Sequence, residues 1–154
     1  MMSLSSEVIA RLSGKTLVTA ESLTGGGIGA ELTSVPGASL VYKGGIISYV
    51  NDVKRDVLGV PQEILDGYGA VSAWTAGYMA SGARKLLKAD VAVSVTGLAG
   101  PGGDEFGHPV GTVYIGYDSN PKSLVKEFHF QGTREEVRKQ TIEAALKLIL
   151  EQNP

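Results

Sequence analysis

A serine, a tyrosine and a lysine lie close together in the sequence between positions 36 and 54, and together they could carry out a hydrolysis. Ser39 follows the Pro36-Gly37 turn, Tyr49 ends an apolar run, and Lys54 comes shortly after. A serine hydroxyl becomes a nucleophile when a base takes its proton, and lysine can serve if its pKa falls. The segment predicts Ser39 as nucleophile, Lys54 as base and Tyr49 as a phenol between them. In the alternative interpretation these residues are only structural: Ser39 caps a turn, Tyr49 packs its ring at the strand end and Lys54 is solvated.

The lysine stands where its ammonium form would be disfavoured. Asn51 or Asp52 can cap a helix that contains Lys54, Val57 and Leu58. The positive end of the helix dipole then opposes a second positive charge, and partial burial acts in the same direction. We therefore expect a lowered pKa for Lys54.

A glycine-rich turn, residues 21–27, provides a second set of candidates. It reads Glu-Ser-Leu-Thr-Gly-Gly-Gly and joins a predicted strand, Lys15 to Ala20, to a predicted helix. Such a turn points backbone N–H groups at an anion, although it lacks the P-loop and dinucleotide-binding patterns. An anion site and a close helix-to-sheet contact are both compatible with it. Ser22 competes with Ser39 as the nucleophile because it lies on a strand-to-helix turn.

A second glycine cluster, Thr96 to Gly103, follows the β-branched run from Asp90 to Thr96. Ligands of α/β proteins bind beyond the carboxyl ends of strands, and glycines let a ligand approach the backbone. We predict that this loop lines a pocket, with a plain connecting turn as the alternative. Arg134 and Arg138, in the first turns of the last predicted helix, could meet a phosphate, although such arginines are commonly only solvated.

Composition excludes several classes of function. The net charge is −2 and basic residues do not cluster, which argues against nucleic acid as a partner. There is no cysteine, and the two histidines, His108 and His129, both fit structural roles. We expect neither a metal nor another cofactor. Because no apolar run reaches about 20 residues and no signal peptide is evident, we expect no membrane contact and a cytoplasmic location.

The pattern of elements predicts an α/β fold, a three-layer α/β/α sandwich with a mixed sheet, as one domain over residues 1–154. Predicted helices cover Ser5 to Leu12, Ile28 to Val35, Val53 to Leu58, Pro61 to Leu65, Ser72 to Leu87 and the segment after Thr133. Predicted strands cover Lys15 to Ala20, Gly45 to Tyr49, Asp90 to Thr96, Val110 to Tyr117 and Leu124 to Phe130. The last two alternate like an antiparallel pair, and Thr133 with Glu136 forms a capping-box pattern.

Taken together and in this order, several segments resemble the CinA C-terminal domain family, the nicotinamide-nucleotide amidohydrolases. The matching segments are Thr19 to Gly26, Pro36 to Ser39, Gly45 to Asn51 with Lys54, Leu58 to Val60, Gly69 to Ser72, Val95 to Gly103, Pro109 to Tyr114 and Gly132 to Arg138. The resemblance covers nearly the whole chain. It is therefore much more specific than any one of these motifs.

The resemblance implies hydrolysis of the carboxamide of nicotinamide mononucleotide to nicotinate mononucleotide and ammonia, in pyridine nucleotide recycling. It carries the catalytic roles onto Ser39, Tyr49 and Lys54. The substrate-binding residues that it implies are Ser22, Thr24, Gly25, Gly26, Thr96, Gly97, Ala99, Gly100 and Arg138. It also implies a homodimer.

Two other functions stay open at this point. One is an amidase that acts on a related amide, and the other is a non-catalytic nucleotide-binding module associated with competence or DNA-damage proteins. His108 stands where the family frequently has a lysine, and this change could alter the rim of the pocket. The serine, tyrosine and lysine favour an enzyme.

Overall fold

A mixed five-stranded sheet with helices on both faces forms the structure, a computed structural model that describes residues 2–154. The helices are α1 (Leu4–Arg11), α2 (Gly27–Thr33), α3 (Asn51–Asp56), α4 (Gln62–Tyr68), α5 (Ala73–Leu86) and α6 (Arg134–Gln152). The strands are β1 (Leu17–Glu21), β2 (Tyr42–Ile47), β3 (Val91–Gly97), β4 (Thr112–Ser119) and β5 (Ser123–His129). A 3₁₀ turn, Ala38–Leu40, precedes β2.

The strand order is β2-β1-β3-β4-β5. β1 pairs in parallel with both β2 and β3, whereas β4 and β5 add to the sheet in antiparallel fashion. The chain therefore leaves β1 toward one side of the sheet and later returns to pair on the other side. The carboxyl ends of β1, β2 and β3 meet at one edge, which is where ligands bind in open α/β sheets.

Two hydrophobic cores cover the two faces of the sheet and make the architecture three-layered. On one face, Val91, Val93 and Val95 of β3 pack with α1, α2 and α6. On the other, Ala92 packs with Met79 and other residues of α5. Successive side chains of a strand point to opposite faces, and six consecutive buried residues show that β3 is covered on both sides.

The structure corrects two local predictions. The second strand begins at Tyr42 rather than Gly45, because Tyr42 and Gly44 already pair with β1, with a shift of register between them. Neither Asn51 nor Asp52 caps α3; its N-cap is Val50, which is extended and makes no side-chain cap bond. The capping box of α6, from Thr133 and Glu136, is confirmed. Among residues 2–154, no helix is long and apolar enough to cross a membrane.

Candidate active site

The edge where the three parallel strands end brings together groups that lie far apart in the sequence. Ser22 directly follows β1, Lys54 lies on α3 after β2, and Leu98 follows β3. Since β1 lies between its two parallel neighbours, β2 is added on one side of it and β3 on the other, and Ser22 lies at this switch point of the strand order. The fold thus places a hydroxyl at the position where α/β sheets open a crevice.

A buried carboxylate holds the turn that carries Ser22. Glu21 is 2% exposed, and it accepts hydrogen bonds from Thr24 Oγ1 at 2.6 Å, Ile28 N at 2.9 Å and Gly29 N at 3.0 Å. The Ser22 N–H donates to the Val95 carbonyl at 3.1 Å. Charge-assisted bonds of this kind are among the stronger ones, so the backbone around Ser22 is fixed before any ligand binds.

Arg138 supports the same turn from outside. Its Nε donates to the Leu23 carbonyl at 2.8 Å and its Nη2 to the Thr24 carbonyl at 3.2 Å. Gly25 and Gly26 follow with φ of +59° and +99°, which favours glycine at these positions. The predicted anion turn is therefore rigid, and its glycines are required by backbone conformation.

Lys54 is buried against this turn, with a relative exposure of 1%. Its Nζ lies 3.1 Å from Ser22 Oγ. It also donates to the carbonyl oxygens of Ser48 at 2.8 Å and Tyr49 at 3.1 Å. Three oxygens therefore surround the amine, and the two carbonyls can act only as acceptors.

Desolvation by burial lowers the pKa of Lys54 from its usual 10.5 to about 8. A neutral amine carries two N–H donors and one lone pair. Because the two carbonyls take the two N–H groups, the lone pair is left for Ser22 Oγ, whose own proton can then point toward Nζ. The deprotonated lysine and the serine therefore fit as base and nucleophile.

The pair opens into a cavity of about 360 Å³. The residues that line it come from the ends of the parallel strands, from α3 and from the loops after α4 and β3: Ser22, Tyr49, Asn51, Lys54, Gly69, Ala70, Val71, Thr96, Gly97, Leu98, Asp104, Glu105 and Phe106. Thr96 Oγ1 donates to the Ala70 carbonyl at 2.6 Å and joins the end of β3 to the loop after α4. This volume and the mixed lining are typical of a small-molecule site.

The predicted substrate-binding residues divide into two groups. Ser22, Thr96 and Gly97 line the cavity. The others do not line it and instead lie in the turn after β1, in the loop after β3 or on α6: Thr24, Gly25, Gly26, Ala99, Gly100 and Arg138. Thr24 and Arg138 position the Ser22 turn through the hydrogen bonds described above, so their observed contacts are with the protein itself.

The structure does not bring Ser39 to Lys54. Ser39 lies in the 3₁₀ turn before β2, at the amino end of that strand, whereas Lys54 follows its carboxyl end. Six residues of extended chain, about 20 Å, separate the two ends of the strand. Ser39 is exposed, and its hydroxyl has no hydrogen-bond partner in the part of the chain that the structure describes. Parallel pairing with β1 makes Ser22, the competing candidate, the serine beside Lys54.

Tyr49 occupies a different place from the one predicted. Its side chain is 58% exposed at the cavity mouth, and its phenol accepts a hydrogen bond from Arg134 Nη2 at 2.9 Å. Arg134 Nη1 donates to the Gly100 carbonyl at 2.7 Å. Only the backbone carbonyl of Tyr49 touches Lys54. The phenol is thus part of the rim and does not stand between the serine and the lysine.

Sequence reasoning missed three groups of lining residues. The sequence indicates Asn51 only as a helix cap, and residues 69–71 contribute to the resemblance without an assigned role. The loop residues Asp104 to Phe106 drew attention only because His108 departs from the family pattern. Their position after a long glycine-rich loop was the available signal, but the direction in which such a loop folds cannot be read from its sequence.

A larger cavity, of about 590 Å³, lies at the opposite edge of the sheet. Its lining includes Lys15, Asp90, Lys122 and Arg84, which pairs with Asp118 at 2.6 Å. It holds no serine beside a buried base in the part of the chain described here. Within residues 2–154, no group of three or more acidic or histidine side chains could hold a metal ion. The cavity at the carboxyl ends of the parallel strands is the candidate active site because Ser22 and the buried Lys54 meet in its lining.

Fold and site together define a class of protein: a three-layer α/β domain with a serine and a buried lysine at the switch point of its sheet. The CinA C-terminal domain model matches residues 2–153, and the chain belongs to this family. The predicted family and fold are both confirmed.

Sequence relatives include two CinA-like proteins. The one from Endomicrobium trichonymphae is 47% identical over 135 residues, which cover 88% of this chain and 32% of that protein. The one from Synechococcus sp. (strain CC9311) is 57% identical over 115 residues, which cover 73% of this chain and 27% of that protein. The chain thus spans about a third or less of the length of these relatives.

Solved structures of similar size match nearly end to end. The competence/damage inducible protein CihA from Agrobacterium tumefaciens is 41% identical with a TM-score of 0.94, over 98% of this chain and 94% of that one. A CinA superfamily protein from Escherichia coli is 34% identical with a TM-score of 0.95, over 97% of this chain and 88% of that one.

Proposed function

We propose that this protein is an amidohydrolase that converts nicotinamide mononucleotide to nicotinate mononucleotide and ammonia, with Ser22 as nucleophile and Lys54 as base. The observation that carries the proposal is the 3.1 Å contact between Lys54 Nζ and Ser22 Oγ inside a buried site. The substrate comes from the family resemblance. The proposal replaces Ser39 as nucleophile and keeps Lys54.

Acylation begins when neutral Lys54 takes the proton of Ser22 and the serine oxygen attacks the carboxamide carbon. The carbonyl oxygen then becomes an oxyanion, which needs donors fixed in advance. The N–H groups of Leu23 and Thr24 follow directly in the held turn and have no hydrogen-bond partner among the described residues. They are the donors that we assign to the oxyanion.

Collapse of the tetrahedral intermediate completes the first half of the reaction. The protonated Lys54 gives its proton to the amide nitrogen, the carbon–nitrogen bond breaks, and ammonia leaves an ester on Ser22. Lys54, neutral again, then takes a proton from water, which attacks the ester carbon. Breakage of the ester bond returns the proton to Ser22 and releases nicotinate mononucleotide. No step needs a metal or another cofactor.

The remaining polar groups would bind the nucleotide rather than take part in bond breaking. Tyr49 would contact the substrate at the cavity mouth, held by Arg134. The family resemblance assigns the phosphate to Arg138 and to the turn glycines Gly25 and Gly26, and Arg138 holds this turn from the side of α6. The homodimer and the cytoplasmic location stay predictions.

Ammonia release from nicotinamide mononucleotide tests the proposal, with Ser22→Ala and Ser39→Ala as a matched pair. We expect turnover by the parent, a loss of at least about 10³-fold in Ser22→Ala, and less than a twofold change in Ser39→Ala. Circular dichroism and thermal unfolding would check that both variants fold.

Two outcomes would contradict the proposal. Normal turnover by Ser22→Ala with loss in Ser39→Ala would return the nucleophile to Ser39. Nucleotide binding by the folded parent without ammonia release would favour the non-catalytic binding module.

A further inference from the structure

The wall of the cavity beyond the catalytic pair carries negative charge beside an aromatic ring. Asp104, Glu105 and Phe106, consecutive residues of the loop after β3, all line the cavity. Lys54 is the one basic side chain in that described lining. This wall is not used by the reaction steps proposed above.

The two carboxylates of this wall differ in what they contact. Asp104 accepts hydrogen bonds from the backbone N–H groups of Phe106 at 3.2 Å and His108 at 3.0 Å, and it pairs with the His108 ring at 2.6 Å. Its charge is used within the loop. Glu105 is exposed and has no ion pair or side-chain hydrogen bond among the described residues. Its carboxylate is available to a ligand.

Phe106 is held in position by the opposite loop. A Cβ atom placed on Gly69 would lie 2.6 Å from Cε2 of the Phe106 ring, and the φ of Gly69 is +87°. The ring therefore packs directly against the backbone at Gly69, where a side chain would be excluded. With 39% of Phe106 exposed, part of it is left to face a ligand.

An aromatic ring with a free carboxylate beside it favours a planar cation. The ring quadrupole attracts positive charge, and the carboxylate adds a Coulomb attraction that an uncharged ring would not feel. The carboxamide ring of an N-ribosylated nicotinamide is such a cation, whereas its reduced dihydropyridine form is neutral and otherwise has the same groups.

We propose that Glu105 and Phe106 give the site its specificity for a carboxamide on a positively charged pyridinium ring. This inference rests on the proposed function and adds to it two residues that distinguish a charged ring from a neutral one. Glu105 supplies the charge discrimination, and Phe106 supplies the surface against which the ring lies.

Calorimetric titration at pH 7.5 would test the inference in the Ser22→Ala background, where the substrate is not consumed. The two ligands are nicotinamide mononucleotide and its reduced form. Before Glu105 is changed, we expect the oxidised nucleotide to bind more tightly than the reduced one. Glu105→Gln should lower the affinity for the oxidised nucleotide about three- to fivefold and leave the affinity for the reduced nucleotide unchanged.

The matched control is Glu143→Gln, which removes a carboxylate that pairs with Lys147 on α6 away from the cavity. It should change neither affinity. An unchanged affinity of Glu105→Gln for the reduced nucleotide would also show that the substitution leaves the conformation of the loop intact. The preference for the oxidised ligand should decline as salt is added, because the contact is partly exposed.

The outcomes separate this inference from the function on which it rests. If Glu105→Gln lowers the affinity for both nucleotides equally, or changes neither affinity, Glu105 does not discriminate by the charge of the ring. Turnover by the parent would in that case still support the proposed reaction. If the folded parent neither binds nor hydrolyses nicotinamide mononucleotide, the proposed function fails and this inference fails with it.

Discussion

Two serines on two turns of this molecule are both candidate nucleophiles by sequence, and they differ in burial, in contacts and in their position on the sheet. Ser22 is 6% exposed, lies 3.1 Å from the amine of a buried lysine, and has its turn held by Glu21. Ser39 is exposed on a short 3₁₀ turn. It lies at the amino end of β2, whereas Ser22 lies at the carboxyl end of β1.

The comparison teaches that distance along the chain is a poor guide to which side chains meet at the end of a parallel sheet. Ser39 is closer to Lys54 in sequence, but β2 runs between them and separates them by its full length. Ser22 is more distant in sequence, yet β1 and β2 run side by side and end together. Parallel strands bring residues together at matching ends, and this places Ser22 rather than Ser39 beside Lys54.

Replacing the lysine at each end of β2 should give the largest contrast. We expect Lys54→Met to lower turnover about 10²- to 10⁴-fold, because the serine loses its base. Lys43→Met removes an exposed lysine that donates to the Leu87 carbonyl at 2.6 Å, near the amino end of β2. It should stay within twofold of the parent. Ammonia release measures both, and equal losses would mean that the two ends of β2 do not differ in function.

Burial of Lys54 should also make the free energy of unfolding depend on pH. Between the folded pKa of Lys54, about 8, and its usual 10.5, the unfolded chain binds more protons than the folded one. The free energy of unfolding therefore rises as pH rises from about 8 toward 10.5, and the full cost of the buried charge is present below about 8. Relative to Lys54→Met, the parent should gain about 2 kcal/mol between pH 8 and pH 10, measured by urea unfolding. A constant difference would show that burial does not disfavour the charge.

The pH dependence of kcat/KM should follow the same group in the same direction. Only neutral Lys54 can accept the serine proton, so the rate should fall as pH drops below about 8. From pH 8.5 to pH 6.5 we expect a decrease of about 25-fold, from the neutral fraction of one group with that pKa. A flat profile over this range would exclude Lys54 as the base.

Much of the fold could be predicted because its signals are local. The apolar, β-branched run of β3 indicates a strand buried on both faces, and Thr133 with Glu136 marks the start of α6; both were found. The start of β2 was misplaced by three residues. Its glycines have weak strand propensity, and hydrogen bonds to β1 decide where it begins.

The site was only partly predictable, because part of it depends on contacts between segments that are distant in the sequence. Lys54, the turn after β1, and the loop after β3 were all identified from residue types and from the resemblance. Which serine meets the lysine depends on strand order and direction, which no single segment specifies. The wall formed by Glu105 and Phe106 depends on a glycine-rich loop folding back toward Gly69.

By itself, the sequence determined the α/β class, the family, the glycine turns and the lysine whose burial lowers its pKa. These follow from residue types and short spacings, where hydrophobic pattern and backbone preference act over a few residues. Only the tertiary structure decided that Ser22 rather than Ser39 lies beside Lys54, and that Tyr49 belongs to the rim. Those facts depend on parallel pairing between distant segments, which brings together the carboxyl ends of strands that the sequence keeps apart.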